Sequence, residues 1–408
     1  MSEVAEVMIA GQWVVPAGPE TRVVTNPSTL HPVGAVSLCG DPQWQAAMRS
    51  AHAAAAAWGQ RSAEERAALL TTVGERLLAG ERELALLHAR ESGQVFAESL
   101  RLVRSAAACW RVDPAAAPSP AAPVCLLCPR PHATLLDWSR VAANRLARGA
   151  SCVTALPGQA PLATLRAARA CEGLPEGVLN VLVGEPAAAA PEGLEWVRPA
   201  DPPAAADIVY VSRDADLELA VAGAAARRLY HSGQRAEQSV RVYLERPLVH
   251  TFADRLHEYL AFLEAGDPVK PATDLGPLAG AERLQTVEAQ VGRALKQGAL
   301  LKLGGRRYQP WGLTGYFFQP TLMIEGTGEE RAPDDGIRGP VIILSPARDL
   351  AEALADRPGS GAVHVTLFAD DVPRAVATAD TDARQVQIDP IRSPGEDWFP
   401  YRARTPRR

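Results

Sequence analysis

Residues 150–184 read ASCVTALPGQAPLATLRAARACEGLPEGVLNVLVG. Residues 152–156 are a short apolar run, residues 160–171 place small and apolar side chains at helical spacing, and residues 178–183 are a second apolar run. The pattern predicts strand, helix, strand. Apolar runs of this length, separated by a helix, are the repeating unit of a parallel sheet buried on both faces.

The same alternation continues outward. Before it lie a strand at 124–128 and a helix at 135–146, preceded by the breaker-rich stretch DPAAAPSPAAP at 113–123. Residues 41–112 read as four helices. Ser62 with Glu65 three residues later forms a capping-box signature for the second of them. Residues 1–40 read as short strands and turns, with Asn26-Pro27 as a turn. After it, residues 185–206 are rich in Ala, Pro and Glu and read as irregular surface chain. Strands then follow at 208–211 and 240–244, with helices at 216–230, 249–264 and, for the most part, 275–298. Beyond residue 340 strands and helices alternate again, at 341–344, 349–355, 363–368, 372–379 and 386–388. The predicted fold class is α/β, doubly wound.

Lys and Arg number 42 against 47 Asp and Glu, a net charge of −5, with no basic stripe. Neither a nucleic acid partner nor a membrane surface is expected, and no run of apolar residues is long enough to span a bilayer. The basic ending Arg402, Arg404, Arg407, Arg408 reads as a solvated end. The six cysteines (Cys39, Cys109, Cys125, Cys128, Cys152, Cys171) come without a secretory leader and are expected as thiols in a reducing cytoplasm. Cys125 and Cys128 have the two-residue spacing of a metal site. On a strand, however, they face opposite ways and lack a second pair, so buried structural thiols are expected and no metal.

Several segments together resemble the aldehyde dehydrogenase superfamily. They are LPEGVLNVLVG at 174–184, DADLELAVAGAAARRLYHSGQRAEQSVRVYL at 214–244, GDPVKPATDLGPL at 266–278, YFFQPTL at 316–322 and Gly339-Pro340-Val341, with Asn26-Pro27 and Trp58 near the start. The resemblance covers nearly the whole chain. It implies two Rossmann-like parallel-sheet domains, with a reduced nucleotide-binding domain and a reduced oligomerisation hairpin. On this reading residues 1–112 contribute to the nucleotide-binding domain, the linker 113–123 replaces the hairpin, and 124–230 is the reduced Rossmann-like domain. Residues 231–385 are the former catalytic domain, and 386–408 form a shortened C-terminal tail.

Carried over position by position, the family's chemistry is missing. The nucleophilic cysteine that adds to the aldehyde falls on Ala236, within Gly233-Gln234-Arg235-Ala236. The asparagine that donates to the oxyanion falls on Pro129, which has no donor. The lysine for the adenosine ribose falls on Leu156, the glutamate for the nicotinamide ribose on Gly336 and the following aromatic on Arg338. The motifs carrying the general base and the pyrophosphate helix are absent, and residues 184–214 are short for the family. No cofactor is therefore expected.

The leading expectation is a non-catalytic subunit, similar to the inactive second module of two-module aldehyde dehydrogenases. Such a subunit would form a homodimer or a hetero-oligomer with an active aldehyde dehydrogenase. The alternatives are an altered enzyme or small-molecule binder using a remnant pocket around His231, Arg235 and Glu237, and residual NAD(P)-dependent aldehyde oxidation.

Overall fold

A computed structural model describes residues 4–16, 20–114, 123–129, 134–185, 194–197, 206–234, 238–325, 337–356, 363–377 and 386–391. The chain divides into two compact units. The first holds residues 1–26, 30–92 and 99–199, and the second holds 27–29, 93–98 and 200–408.

The first unit opens with β1 (Val4–Ala5), β2 (Val7–Ile9), β3 (Gln12–Val14), β4 (Thr21–Thr25) and β5 (Pro32–Ser37). Helices α1 (Asp41–Gln60), α2 (Ala63–Ala79), α3 (Glu81–Ser92) and α4 (Phe96–Ala108) follow. Then come β6 (Val124–Leu127), α5 (Thr134–Ala147), β7 (Ser151–Leu156), α6 (Leu162–Ala168), β8 (Leu179–Val183) and β9 (Leu194–Val197). The capping box read at Ser62 is present: Glu65 N–H donates to Ser62 Oγ at 3.2 Å, and Ser62 N–H to Glu65 Oε2 at 2.9 Å. The strand–helix–strand reading of 150–184 holds. The helix is shorter than the apolar spacing suggested, because Pro161 stands as its N-cap and residues 169–171 tighten into a 3-10 turn.

The main sheet of this unit runs β3-β2-β8-β7-β6-β9, with β8, β7, β6 and β9 mutually parallel. Strand β9 corrects the reading of 185–206 as wholly irregular. Leu194–Val197 is too short to declare itself by periodicity, and it gains its order from pairing with Val124–Leu127.

The second unit contributes β10 (Ala206–Val211), α7 (Leu217–Leu229), β11 (Gln238–Glu245), α8 (Val249–Ala261), α9 (Ala281–Lys296), β12 (Leu300–Leu303), β13 (Arg307–Tyr308), β14 (Phe317–Phe318), β15 (Thr321–Ile324), β16 (Val341–Ala347), α10 (Leu350–Ala355), β17 (Val363–Phe368), α11 (Val372–Val376) and β18 (Val386–Pro390). Its sheet order is β12-β15-β16-β11-β10-β17-β18, parallel except for the antiparallel edge strand β12. Helices α7 and α8 cover one face through Val221, Ala224, Phe252 and Leu256. These are fully buried against Val242, Leu244 and Ile342. Near-continuous apolar strands such as Val341–Leu344 are what a sheet covered on both faces requires. The helix expected over 275–298 starts only at Ala281, with Gly280 as its N-cap; ahead of it Gly276 packs so closely that a methyl there would lie 1.9 Å from the carbonyl oxygen of Gly93. The α/β fold with parallel Rossmann-like sheets is thus as expected.

Cys125 is fully buried and Cys128 half-buried. The Cys125 and Cys152 thiols, on neighbouring strands in register, lie 3.1 Å apart. Among the described residues no cluster of His, Cys, Asp and Glu is arranged to hold a metal, and no helix is long and apolar enough to cross a membrane.

Two titratable groups one turn apart on α3 set opposite pH slopes. Burial lowers the His88 imidazole from 6.5 to about 4. As pH falls through that window the unfolded chain binds a proton that the folded one refuses, so stability is lost in acid. Burial raises the Glu91 carboxyl from 4.5 to about 8, against the pull of the Ala163 and Leu162 amides that donate to it at 2.9 and 2.8 Å. The folded state holds that proton while the unfolded one releases it, so this contribution is present below about 4.5 and lost as pH rises to about 8. Urea unfolding of wild type and Glu91→Gln between these limits should show the wild type losing on the order of a few kcal/mol relative to the variant as pH rises. Parallel profiles would mean that the carboxyl ionises normally.

Candidate active site

Parallel neighbours place the chain segments that enter them side by side. Strands β11 and β16 are such neighbours, so residues 231–234 and 337–340 meet near the amino ends of the second unit's sheet. The contact is backbone to backbone: a methyl on Gly233 would lie 2.0 Å from the Gly339 carbonyl oxygen.

The turn that delivers this contact is left-handed. His231, Ser232 and Gly233 have φ of 51°, 53° and 70°. For the two non-glycine residues this costs about 1–2 kcal/mol each, so the surroundings must hold them there. His231 N–H donates to Glu98 Oε2 at 2.9 Å, and Gln94 Nε2 donates to the same oxygen at 3.1 Å. Ser232 Oγ donates to the Gly276 carbonyl at 2.8 Å. Gln234 Nε2 donates to the carbonyls of His231 at 3.1 Å and Pro277 at 3.4 Å, while its Oε1 accepts from Ala279 N–H at 2.8 Å. Gln94, Glu98, His231, Ser232 and Gln234 are all buried. The Glu98 carboxylate thus takes one left-handed backbone amide and one side-chain amide, charge-assisted bonds that hold the start of the turn.

The turn ends where the reactive segment of the resemblance begins. Of the sequence-predicted pocket, His231 sits in the turn and is buried, while Arg235, Ala236 and Glu237 lie outside the described residues, as does Gly336. Arg338 is half-buried beside Gly339. Pro129 and Leu156 belong to the first unit: Pro129 is buried two residues past β6, and Leu156 is the fully buried last residue of β7. Sequence reasoning missed Glu98, Gln94 and Ser232. A Gln–Glu pair four apart at the start of an apolar helix was a faint signal, since polar side chains there are normally solvated.

The first unit's strands β8-β7-β6-β9 have the order 3-2-1-4 in chain sequence, which reverses between β6 and β9. A crevice at the carboxyl ends of such strands is where a dinucleotide binds. At the end of β7 Gly158 leaves room beside Arg22, whose Nη1 would be 3.0 Å from a methyl there. The Arg22 guanidinium is paired with Glu20 at 2.7 Å. Strand order alone is what this sheet shares with dinucleotide-binding sheets: Leu156 is fully buried, and the Arg22 guanidinium is held by Glu20.

The pattern that defines the Aldehyde dehydrogenase family matches residues 13–123 and 204–386. A 3-sulfolactaldehyde dehydrogenase of Pseudomonas putida is 28% identical over 386 residues, 83% of this chain and 79% of the relative. A succinate-semialdehyde dehydrogenase [NADP(+)] of Escherichia coli is 27% identical over 397 residues, 86% of this chain and 82% of the relative. A solved 3,6-anhydro-L-galactose dehydrogenase superposes with a TM-score of 0.81 at 20% identity, over 97% of this chain and 93% of that one, a likeness of fold. These relatives overturn the expectation of a non-catalytic structural or regulatory subunit. They bear the names of aldehyde dehydrogenases, and the match runs through both units.

Replacing Gly233 by Ala should destabilise the protein by about 2–4 kcal/mol, from the left-handed φ and the clash with Gly339. Gly292→Ala, in mid-α9 with nothing within 4 Å, should stabilise it by up to about 1 kcal/mol. Denaturant midpoints for the two variants check this; equal midpoints would mean that the turn carries no constraint.

Proposed function

From the chain's membership of the aldehyde dehydrogenase family, to which it belongs, we propose that it oxidises aldehydes with NAD(P). The observation that supports this most is the left-handed turn 231–233, clamped by Glu98, Ser232 and Gln234 immediately before the segment that resembles the one carrying the family's nucleophile. A framework that stores strain at this point and compensates it from three sides is typical of a working site. The relatives named for 3-sulfolactaldehyde and succinate semialdehyde give the same direction.

A bound dinucleotide would supply the hydride acceptor for oxidation at the aldehyde carbon. The residues that could meet it are Gly158, just past β7, and Arg22 on β4, whose guanidinium is shared with Glu20. Ala236 has no nucleophilic atom. In this reading the substrate carbon becomes tetrahedral by hydration rather than by thiol addition, and one hydroxyl proton passes to water as the acid forms. The chain's own part is to fix the turn, to exclude water from the Gly233–Gly339 contact, and to orient what lies beyond Gln234.

The test is ultraviolet absorbance of the reduced cofactor, with NAD+ and NADP+ each offered succinate semialdehyde and glutarate semialdehyde. The expected result is slow reduction by the wild type that rises roughly a hundredfold or more in Ala236→Cys. Absence of any reduction by the wild type with either cofactor would refute the reading.

A further inference from the structure

One row of side chains crosses three strands of the first unit's sheet. Cys152 on β7 is registered on Cys125 of β6, and Cys125 on Glu195 of β9. Registered residues of parallel strands project to the same face, so the three side chains stand in line. Both cysteines are fully buried, and their sulfurs lie 3.1 Å apart. Glu195 is partly exposed and ion-paired with Arg145 at 2.5 Å. The row therefore runs from two buried thiols to a polar rim on the last strand of the described sheet. Neighbouring strands are about 4.7–4.9 Å apart, within the roughly 4.4–6.8 Å between Cα atoms that a disulfide spans. The sulfurs need only about 1 Å of further approach to reach bonding distance. A buried thiol is ordinarily inert. Here a second sulfur is already in contact. The strand between Cys125 and the edge of the described sheet is four residues long, so a water-sized, uncharged oxidant needs only a local opening to enter.

We propose that Cys125 and Cys152 are an oxidisable pair that hydrogen peroxide converts to a disulfide between β6 and β7. Cys125 stands nearer the edge and takes the peroxide first. A sulfur–oxygen bond forms, the oxygen–oxygen bond breaks, and the thiol proton leaves with the departing hydroxide as water. The Cys152 sulfur then attacks the sulfenic sulfur, the sulfur–oxygen bond breaks, and the Cys152 proton leaves with that hydroxide as a second water. The two thiols lose two electrons and two protons, and the peroxide gains them. The order follows from environment: burial first, and then the Cys125 thiol beside it, raise the Cys152 thiol well above its ordinary value and make it a poor source of thiolate. The bond closes a ring through α5, the helix between the two strands.

The pair needs no turnover, so it is tested apart from the aldehyde-oxidation reading. Reduced full-length protein is treated with hydrogen peroxide, quenched with catalase, denatured, alkylated with iodoacetamide and digested for mass spectrometry. In the wild type the peptides bearing Cys125 and Cys152 should be found joined, about 2 Da below their sum, and dithiothreitol should release them. Cys171, also buried in the same unit, should be recovered alkylated. Cys128→Ser should keep the joined species, and Cys152→Ala should lose it. Fragmentation of the wild-type species places the bridge even if a variant fails to fold. Alkylated Cys125 and Cys152, at a peroxide level that already carries the half-buried Cys109 to sulfinic acid, would show inert core thiols and overturn the proposal. So would a bridge from Cys152 to Cys128, or sulfinic acid at Cys125 with Cys152 still free, since either means that the two sulfurs do not react with each other. Oxidation of Cys171 to the same extent would trace the bridge to unfolded chain and overturn it as well.

Discussion

Two glycine backbones meet at the amino ends of β11 and β16, and the second unit's geometry is organised around letting them do so. The carbonyl of Gly339 occupies the space where any side chain at Gly233 would begin. That approach is possible only if residue 233 lacks a Cβ and the chain before it turns left-handed. The same device recurs nearby, where Gly276 lies against the carbonyl of Gly93. Backbone in this region is packed as tightly as side chains are in an ordinary core.

Such packing leaves polar main-chain groups away from water, and each must find a partner. The partners come from distant parts of the sequence. Glu98 reaches the His231 amide from the first turns of α4, and Gln234 satisfies groups on both sides of the 277–279 stretch. Removing one donor or acceptor from this set would strand the other, which costs more than the bond itself contributes. The turn is therefore a joint property of three chain segments.

Much of the fold was legible because parallel sheets write themselves as apolar runs. The 152–156 and 178–183 runs, the Ser62–Glu65 cap and the strands at 341–344 and 363–368 all announce themselves locally. Strand β9 did not, since four residues of mixed polarity acquire their conformation only from β6. The site was half legible. Motif order located Gly233-Gln234 but not the left-handed turn that ends there. Glu98, Gln94 and Ser232 were not visible, because a buried carboxylate clamping an amide 133 positions away leaves no spacing signal. The expectation of a non-catalytic subunit came from weighing single positions more heavily than the continuity of the framework.

Strand β2 carries a further consequence, one of timing. Its inner neighbour in the sheet is β8, with Met8 registered on Val181. At ribosomal speeds of roughly 5–20 residues per second, the amino terminus waits on the order of ten to thirty seconds before that partner exists. The α1–α4 helices, whose contacts are nearer in sequence, can form first and cover the apolar residues of β2 in the interval. Strand β2 is thus a closing element, and the sheet it seals is completed by the oldest part of the chain.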